Sequence, residues 1–220
     1  MGGFTEAFKN RVVVPFMGSY EDFRHVLHHE LTHAMIFDML YGNIIRSILT
    51  RQALFDLPLW FAEGYAEYSS RFGLDYQADM ILRDATIHNY LIPLEYLGGY
   101  LAYKEGQSVL DFIVKKYGPE KISEILNKGK VNLSIDKALK AAIGVDQKEL
   151  SEEWMKTLKK RYWPELAKRE EPKDFAKQLT FHEKDNSFLN EKPAFSPQGD
   201  RIAIFSDRSD YTEIYIISSI

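Results

Sequence analysis

His25-Val26-Leu27-His28-His29-Glu30-Leu31-Thr32-His33-Ala34-Met35 is the stretch on which both the fold and the chemistry turn. Around it, apolar residues recur through Phe23, Val26, Leu27, Leu31, Ala34, Met35 and Met39 at the spacing of one helical face. Ser19 with Asp22 three residues on suits a helix start, and Gly42 suits a stop. The spacing therefore predicts one long amphipathic helix, which holds four of the six histidines and so concentrates the imidazole of the chain on one element.

Within that helix, His29-Glu30-Leu31-Thr32-His33 is an H-E-x-x-H pattern. Residues four apart lie one turn above the other, so both imidazoles can reach a single Zn²⁺ at about 2.0 Å. Glu30 projects roughly 100° away, where its carboxylate addresses a water rather than the metal, the position of a general base. A catalytic zinc site also needs a third protein ligand and an open position. A second helix, predicted to begin near Asp56 with Pro58 in its first turn and to end before Gly73, carries Glu63 and Glu67 among Leu59, Trp60, Phe61, Ala62 and Ala66. Carboxylates on so apolar a helix are buried only with a partner, and a metal is such a partner; a face turned to water is the other reading of the pair. Glu63 is the candidate third ligand. His25, one turn before His29, reads as a satisfied surface histidine, with an alternative ligand or a substrate-side group as the competing readings. His28 faces elsewhere, and His88 and His182 read as structural.

The H-E-x-x-H helix followed by Trp60-Phe61-Ala62-Glu63-Gly64-Tyr65-Ala66-Glu67-Tyr68 resembles the gluzincin metallopeptidases, most closely the peptidase MA-like group. The resemblance implies zinc held by His29, His33 and Glu63, Glu30 as general base, and Glu67 orienting a ligand histidine from behind. Tyr103-Lys104-Glu105-Gly106 resembles the tyrosine-x-lysine-glycine segment of the aminopeptidase N family, with the lysine shifted, and implies that Tyr103 stabilises the oxyanion. Tyr100 competes for that role, and a core position is the other reading of either tyrosine. The glycine-x-methionine-glutamate-asparagine motif of the aminopeptidase N relatives has no match, so an endopeptidase acting on peptide or protein is expected. Two rivals stand beside it. One is a protein-interaction module with a structural or degenerate metal site, and the other a metal-dependent hydrolase of something other than peptide.

Upstream, Arg11-Val12-Val13-Val14-Pro15-Phe16 reads as a short edge strand, because Pro15 cannot donate to a ladder. Val12, Val13 and Val14 are expected to pair with an extended substrate backbone. There is room for little more than one strand before the helix, so part of the N-terminal sheet of the resembled domain is expected to be missing. Downstream, helices are predicted at 76–90, 104–117 and 119–128, from Ser134 to Gly144, and from an Asp146/Glu149 capping box to Tyr162, with Pro164 as the stop. Residues 168–177 read as a charged linker. From 178 to 220 the pattern is strand, turn, strand, with Ser196 to Asp200 as turn chemistry and alternation over 201–206 and 211–218. The stretch from Lys192 to Ile216 resembles the first blade of a TolB-type β-propeller. That implies a surface for a protein partner and, with the peptidase resemblance, an exported or periplasmic parent protein. The expected fold is mainly α with some β: a gluzincin-like domain over 1–167, then a linker and a truncated blade over 178–220.

Composition closes off other classes. Over 220 residues, 45% are hydrophobic and 27% charged, as in ordinary globular proteins. A formal net charge of −4 provides no basic field for nucleic acid. No apolar run approaches the 18 or so residues of a membrane span, and no basic-then-apolar leader opens the sequence. With no cysteine, imidazole and carboxylate are the metal ligands to hand.

Overall fold

The computed structural model describes residues 2–6, 11–16, 18–41 and 55–220. It divides the chain into two compact units, Met1–Ala167 and Lys168–Ile220. The first is mainly helical. It opens with two short antiparallel strands, β1 (Phe4–Thr5) and β2 (Val12–Val13), in the register Phe4↔Val13 and Thr5↔Val12. The expected strand over Arg11 to Phe16 is thus shorter, and it pairs with a strand that the sequence pattern did not single out.

Helix α1 (Tyr20–Tyr41) follows, its first turn carrying Glu21 and Asp22 and its start held by Asp22 N–H donating to Ser19 Oγ at 3.3 Å. Gly42, the expected stop, lies outside the described residues. Helix α2 (Leu59–Ser70) begins later than expected: Pro58 stands before it in an extended conformation, and its carbonyl accepts from Phe61 and Ala62. Asp75 caps α3 (Tyr76–Ile87) by accepting from Ala78 N–H at 2.7 Å. A 3₁₀ turn at Leu94–Tyr96 leads to α4 (Leu101–Tyr117), which ends at Gly118 with φ of 106°, backbone that a side chain resists. Ser134 caps α6 (Ile135–Ile143), which follows α5 (Glu120–Asn132). The Asp146–Glu149 capping box starts α7 (Gln147–Leu166). Pro164 does not stop α7; its missing N–H forfeits one bond in the last turn, and the helix runs on to Leu166.

Among the described residues, one apolar cluster fills this unit. Trp60 and Phe61 of α2, Leu82 of α3, Leu110 and Ile113 of α4, Ile125 of α5, Leu139 of α6 and Trp154 of α7 are all at most 1% exposed. The two buried indoles keep their polar edges bonded: Trp60 Nε1 donates to Gln147 Oε1 at 3.2 Å and Trp154 Nε1 to Ser108 Oγ at 3.0 Å. Gly64 and Gly106 let α2 and α4 touch backbone to backbone, a Cβ on Gly64 falling 2.4 Å from the Gly106 carbonyl carbon. That contact fixes the spacing of two helices that both carry candidate site residues.

The second unit has two one-turn helices, α8 (Pro172–Phe175) and α9 (His182–Asp185), and an antiparallel meander β3 (Asn190–Phe195), β4 (Arg201–Ser206), β5 (Glu213–Ser218) in that order. Ile202 and Ile204 of β4 are buried, whereas Ile214 and Ile216 of β5 and Phe195 of β3 are about two-thirds exposed.

Candidate metal centre

Helix α1 turns His29, Glu30, Thr32 and His33 inward, and α2 turns Trp60, Phe61 and Glu67 toward the interior. The result is a triangle of donor atoms. His29 Nε2 lies 3.2 Å from Glu63 Oε2, His33 Nε2 lies 3.1 Å from that same oxygen, and the two Nε2 atoms are 3.1 Å apart. A tetrahedral ion about 2.0 Å from each donor requires donors about 3.3 Å apart, so three side chains of zinc-ligand type already stand at nearly the spacing that an ion imposes. Among the described residues, these are the three whose ligand atoms could hold a metal together.

The surroundings favour positive charge at this point. Burial disfavours an imidazolium on His29, but Glu63 and Glu67 outweigh it and push its pKa up to about 9. Burial alone would raise the Glu63 carboxyl; hydrogen bonds from His29 and His33 instead hold it near 2. Glu67 is likewise held well below the usual carboxylate range, its burial overcome by His25, His29 and Lys104. Two anionic carboxylates about a pair of imidazoles form a site that attracts a cation.

Glu67 stands behind the triangle, with Oε1 3.2 Å from His29 Nδ1. Tyr103 of α4 stacks on the His29 ring, centroids 5.9 Å apart and planes 12° apart. Burial and then the Glu63 charge push the Tyr103 hydroxyl up to about 12, so it stays a proton donor at neutral pH. Tyr100, the competing tyrosine, precedes α4 and is 64% exposed.

Glu30 is 6% exposed and does not join the triangle. The Thr5 hydroxyl sits 2.7 Å from its Oε2 and 2.9 Å from its carbonyl oxygen. Gly3 lies so close that a Cβ would be 2.8 Å from Glu30 Cγ. It is therefore β1 that rests on Glu30, while Val12 and Val13 lie one strand away and Val14 lies outside the strand. Neither Gly3 nor Thr5 carried a signal; only pairing beside the helix gives them a role.

His25 differs from its reading as a surface histidine. The packing of α2 on α1 covers it, leaving the side chain 15% exposed with Nε2 3.3 Å from Glu67 Oε1. His28 points away, with Nε2 3.1 Å from Ser69 Oγ. His88 pairs with Asp84 in an exposed i,i+4 contact, and His182 Nδ1 meets the Ser187 carbonyl.

The family model of the Peptidase MA superfamily matches residues 10–160, more than half of the chain and all of the residues of the triangle. The chain belongs to the Peptidase MA superfamily. No curated protein and no solved structure matches it. Membership of the Peptidase MA superfamily makes hydrolysis the reaction class and peptide or protein the substrate class. Among the described residues, no helix is long and apolar enough to cross a membrane.

Proposed function

We propose that the first unit is a zinc-dependent peptidase of the gluzincin type, acting as an endopeptidase. The observation that carries this reading is the convergence of His29 Nε2, His33 Nε2 and Glu63 Oε2 within 3.2 Å of one another. Zinc held by these three side chains supplies Lewis acidity toward a water and toward the scissile carbonyl. Glu30 takes the proton of the attacking water and passes it to the leaving amine. Thr5 holds one oxygen of that carboxylate, leaving the other to work. The Tyr103 hydroxyl donates to the developing oxyanion, a contribution of about 3 to 4 kcal/mol for donors of this kind. An extended substrate pairs with the short sheet beside Glu30, at Val12 to Val14 as the sequence suggests or at the free edge of β1, the strand that rests on Glu30.

For the second unit we propose the first-blade segment of a TolB-type propeller and a surface for a protein partner, in a parent protein that is exported or periplasmic. The apolar side chains left exposed on β3 and β5 support a sheet that is covered by further chain or by a partner.

The test is metal content together with turnover. Purified protein is expected to hold about one zinc per chain, lost in Glu63→Ala and His33→Ala. Glu30→Gln is expected to keep the zinc and lose at least about 100-fold in peptide hydrolysis. Zinc retained in Glu63→Ala, or hydrolysis at wild-type rate by Glu30→Gln, overturns the assignment.

A further inference from the structure

One residue after Tyr103, Lys104 is 5% exposed. A lysine with a four-carbon stem on a helix ordinarily reaches water, and an ammonium drawn inside is costly unless it is paired. Here the pairing is specific. Lys104 Nζ lies 2.9 Å from Glu67 Oε2 and 3.7 Å from Asp75 Oδ2. Asp75 is itself held, its Oδ1 capping α3 and its Oδ2 3.4 Å from Arg71 Nε.

The other oxygen of Glu67 faces two imidazoles, His29 Nδ1 at 3.2 Å and His25 Nε2 at 3.3 Å. A carboxylate turns easily about its terminal bond, and two histidines compete for it. With Oε2 anchored on Lys104, Oε1 stays in front of His29. Oε1 is then a charged acceptor within ion-pair range of His29 Nδ1, though outside hydrogen-bond alignment, and it favours a proton on that nitrogen, which leaves the Nε2 lone pair toward His33 and Glu63.

We propose that Lys104 is a positioning residue of the metal centre: its ammonium fixes Glu67 so that Glu67 fixes the orientation and tautomer of His29. The ammonium touches none of the three ligands and acts only through the carboxylate. The inference rests on the metal-site reading of His29, His33 and Glu63, and its test separates the two.

Zinc affinity is measured on the full chain by competition with a chromophoric chelator, for wild type, Lys104→Met and Lys104→Arg. Each is also loaded with Co²⁺, whose visible absorption reports ligand geometry. Lys104→Met is expected to weaken zinc binding roughly 10- to 100-fold and to alter the Co²⁺ spectrum, and Lys104→Arg, which keeps the cation, to recover most of both. Far-UV circular dichroism and a cooperative thermal transition verify that the variants are folded. If the Met variant does not fold, Lys104→Gln supplies the uncharged comparison. Wild type that binds no zinc overturns the metal-site reading itself. Wild type that binds zinc, beside an uncharged variant with equal affinity and an unchanged Co²⁺ spectrum, overturns the role of Lys104 alone.

Discussion

Thr5 and Glu30 are 25 positions apart, yet the hydroxyl of one lies 2.7 Å from the carboxylate of the other. A hydroxyl has one proton to give, and the charged carboxylate is a stronger acceptor than the backbone carbonyl that is also in reach. Hydrogen bonds to charged groups are worth about 1.5 to 3 kcal/mol, so removing this one frees the Glu30 side chain to turn away from its working position. Thr5→Val, which keeps the shape and deletes the donor, is expected to lower kcat about 10-fold or more while zinc content and KM stay near wild type; Thr5→Ser is expected to recover most of the loss. Steady-state kinetics with zinc analysis on the same samples decides it, and an unchanged kcat in Thr5→Val removes Thr5 from the site. Nothing in Gly3-Phe4-Thr5 pointed there, because a threonine earns a role of this kind only from what is folded against it. By contrast, His29, Glu30 and His33 were legible at once, since their geometry is local: four residues on a helix is one turn, wherever the helix goes.

At the level of elements, the helices were legible where a cap or a terminator marks them. Ser134 and the Asp146–Glu149 box stand at the starts of helices, and Gly118 and Gly144 stand at ends. Pro58 and Pro164 were misleading because a proline constrains its own turn and says little about the bond pattern one turn away. What no local pattern carried was the crossing of α2 and α4. A Cβ at Gly106 would lie 2.3 Å from the Trp60 carbonyl oxygen, backbone that cannot swing aside. Gly106→Ala must therefore push apart the helices that hold Glu63 and Tyr103. Its better helix propensity, at most about 1 kcal/mol, is set against an overpacking cost of about 1 to 3 kcal/mol. A lower melting temperature together with weaker zinc binding is expected, and a variant with wild-type values in both would show that the crossing does not set the site. The same helix carries Glu105, fully buried, with Oε2 accepting from Ile92 N–H at 3.2 Å and Oε1 unpaired among the described residues. Burial pushes its pKa up to about 7, against the smaller opposing pull of the Ile92 amide. Between the ordinary carboxyl value and about pH 7 the folded chain keeps a proton that the unfolded chain has released. This residue's contribution to stability therefore falls as pH rises through that window and levels off above it, by about 3 kcal/mol in all. Glu105→Gln is expected to unfold at a higher temperature than wild type at pH 8 and to differ little at pH 5. Thermal denaturation at the two pH values tests this; an equal effect at both would mean that Glu105 is not protonated on folding.

For the whole molecule, the separation of thirty positions between His33 and Glu63 is the part of the site that periodicity cannot close. Two amphipathic helices can pack in several ways, and here the choice rests on the apolar face around Trp60 and Phe61 and on the glycine contact that seats α4 against α2. Every residue given a part in the proposed chemistry, from Thr5 to Lys104, lies in the unit Met1–Ala167, as does the one large apolar cluster among the described residues. The unit Lys168–Ile220 has instead a three-stranded meander with Phe195 70%, Ile214 66% and Ile216 67% exposed. A sheet of that size with apolar side chains left so exposed is marginal in water. The two halves should therefore behave differently when separated. A chain of residues 1–167 is expected to unfold cooperatively and to bind zinc with the stoichiometry and affinity of the full chain, whereas residues 168–220 alone are expected to show no cooperative transition and to associate through the exposed strands. Circular dichroism melts, chelator competition and light scattering on the two fragments check each part. Loss of zinc binding in residues 1–167 would mean that the metal centre depends on the second unit, and that its description as a property of one helical core is wrong.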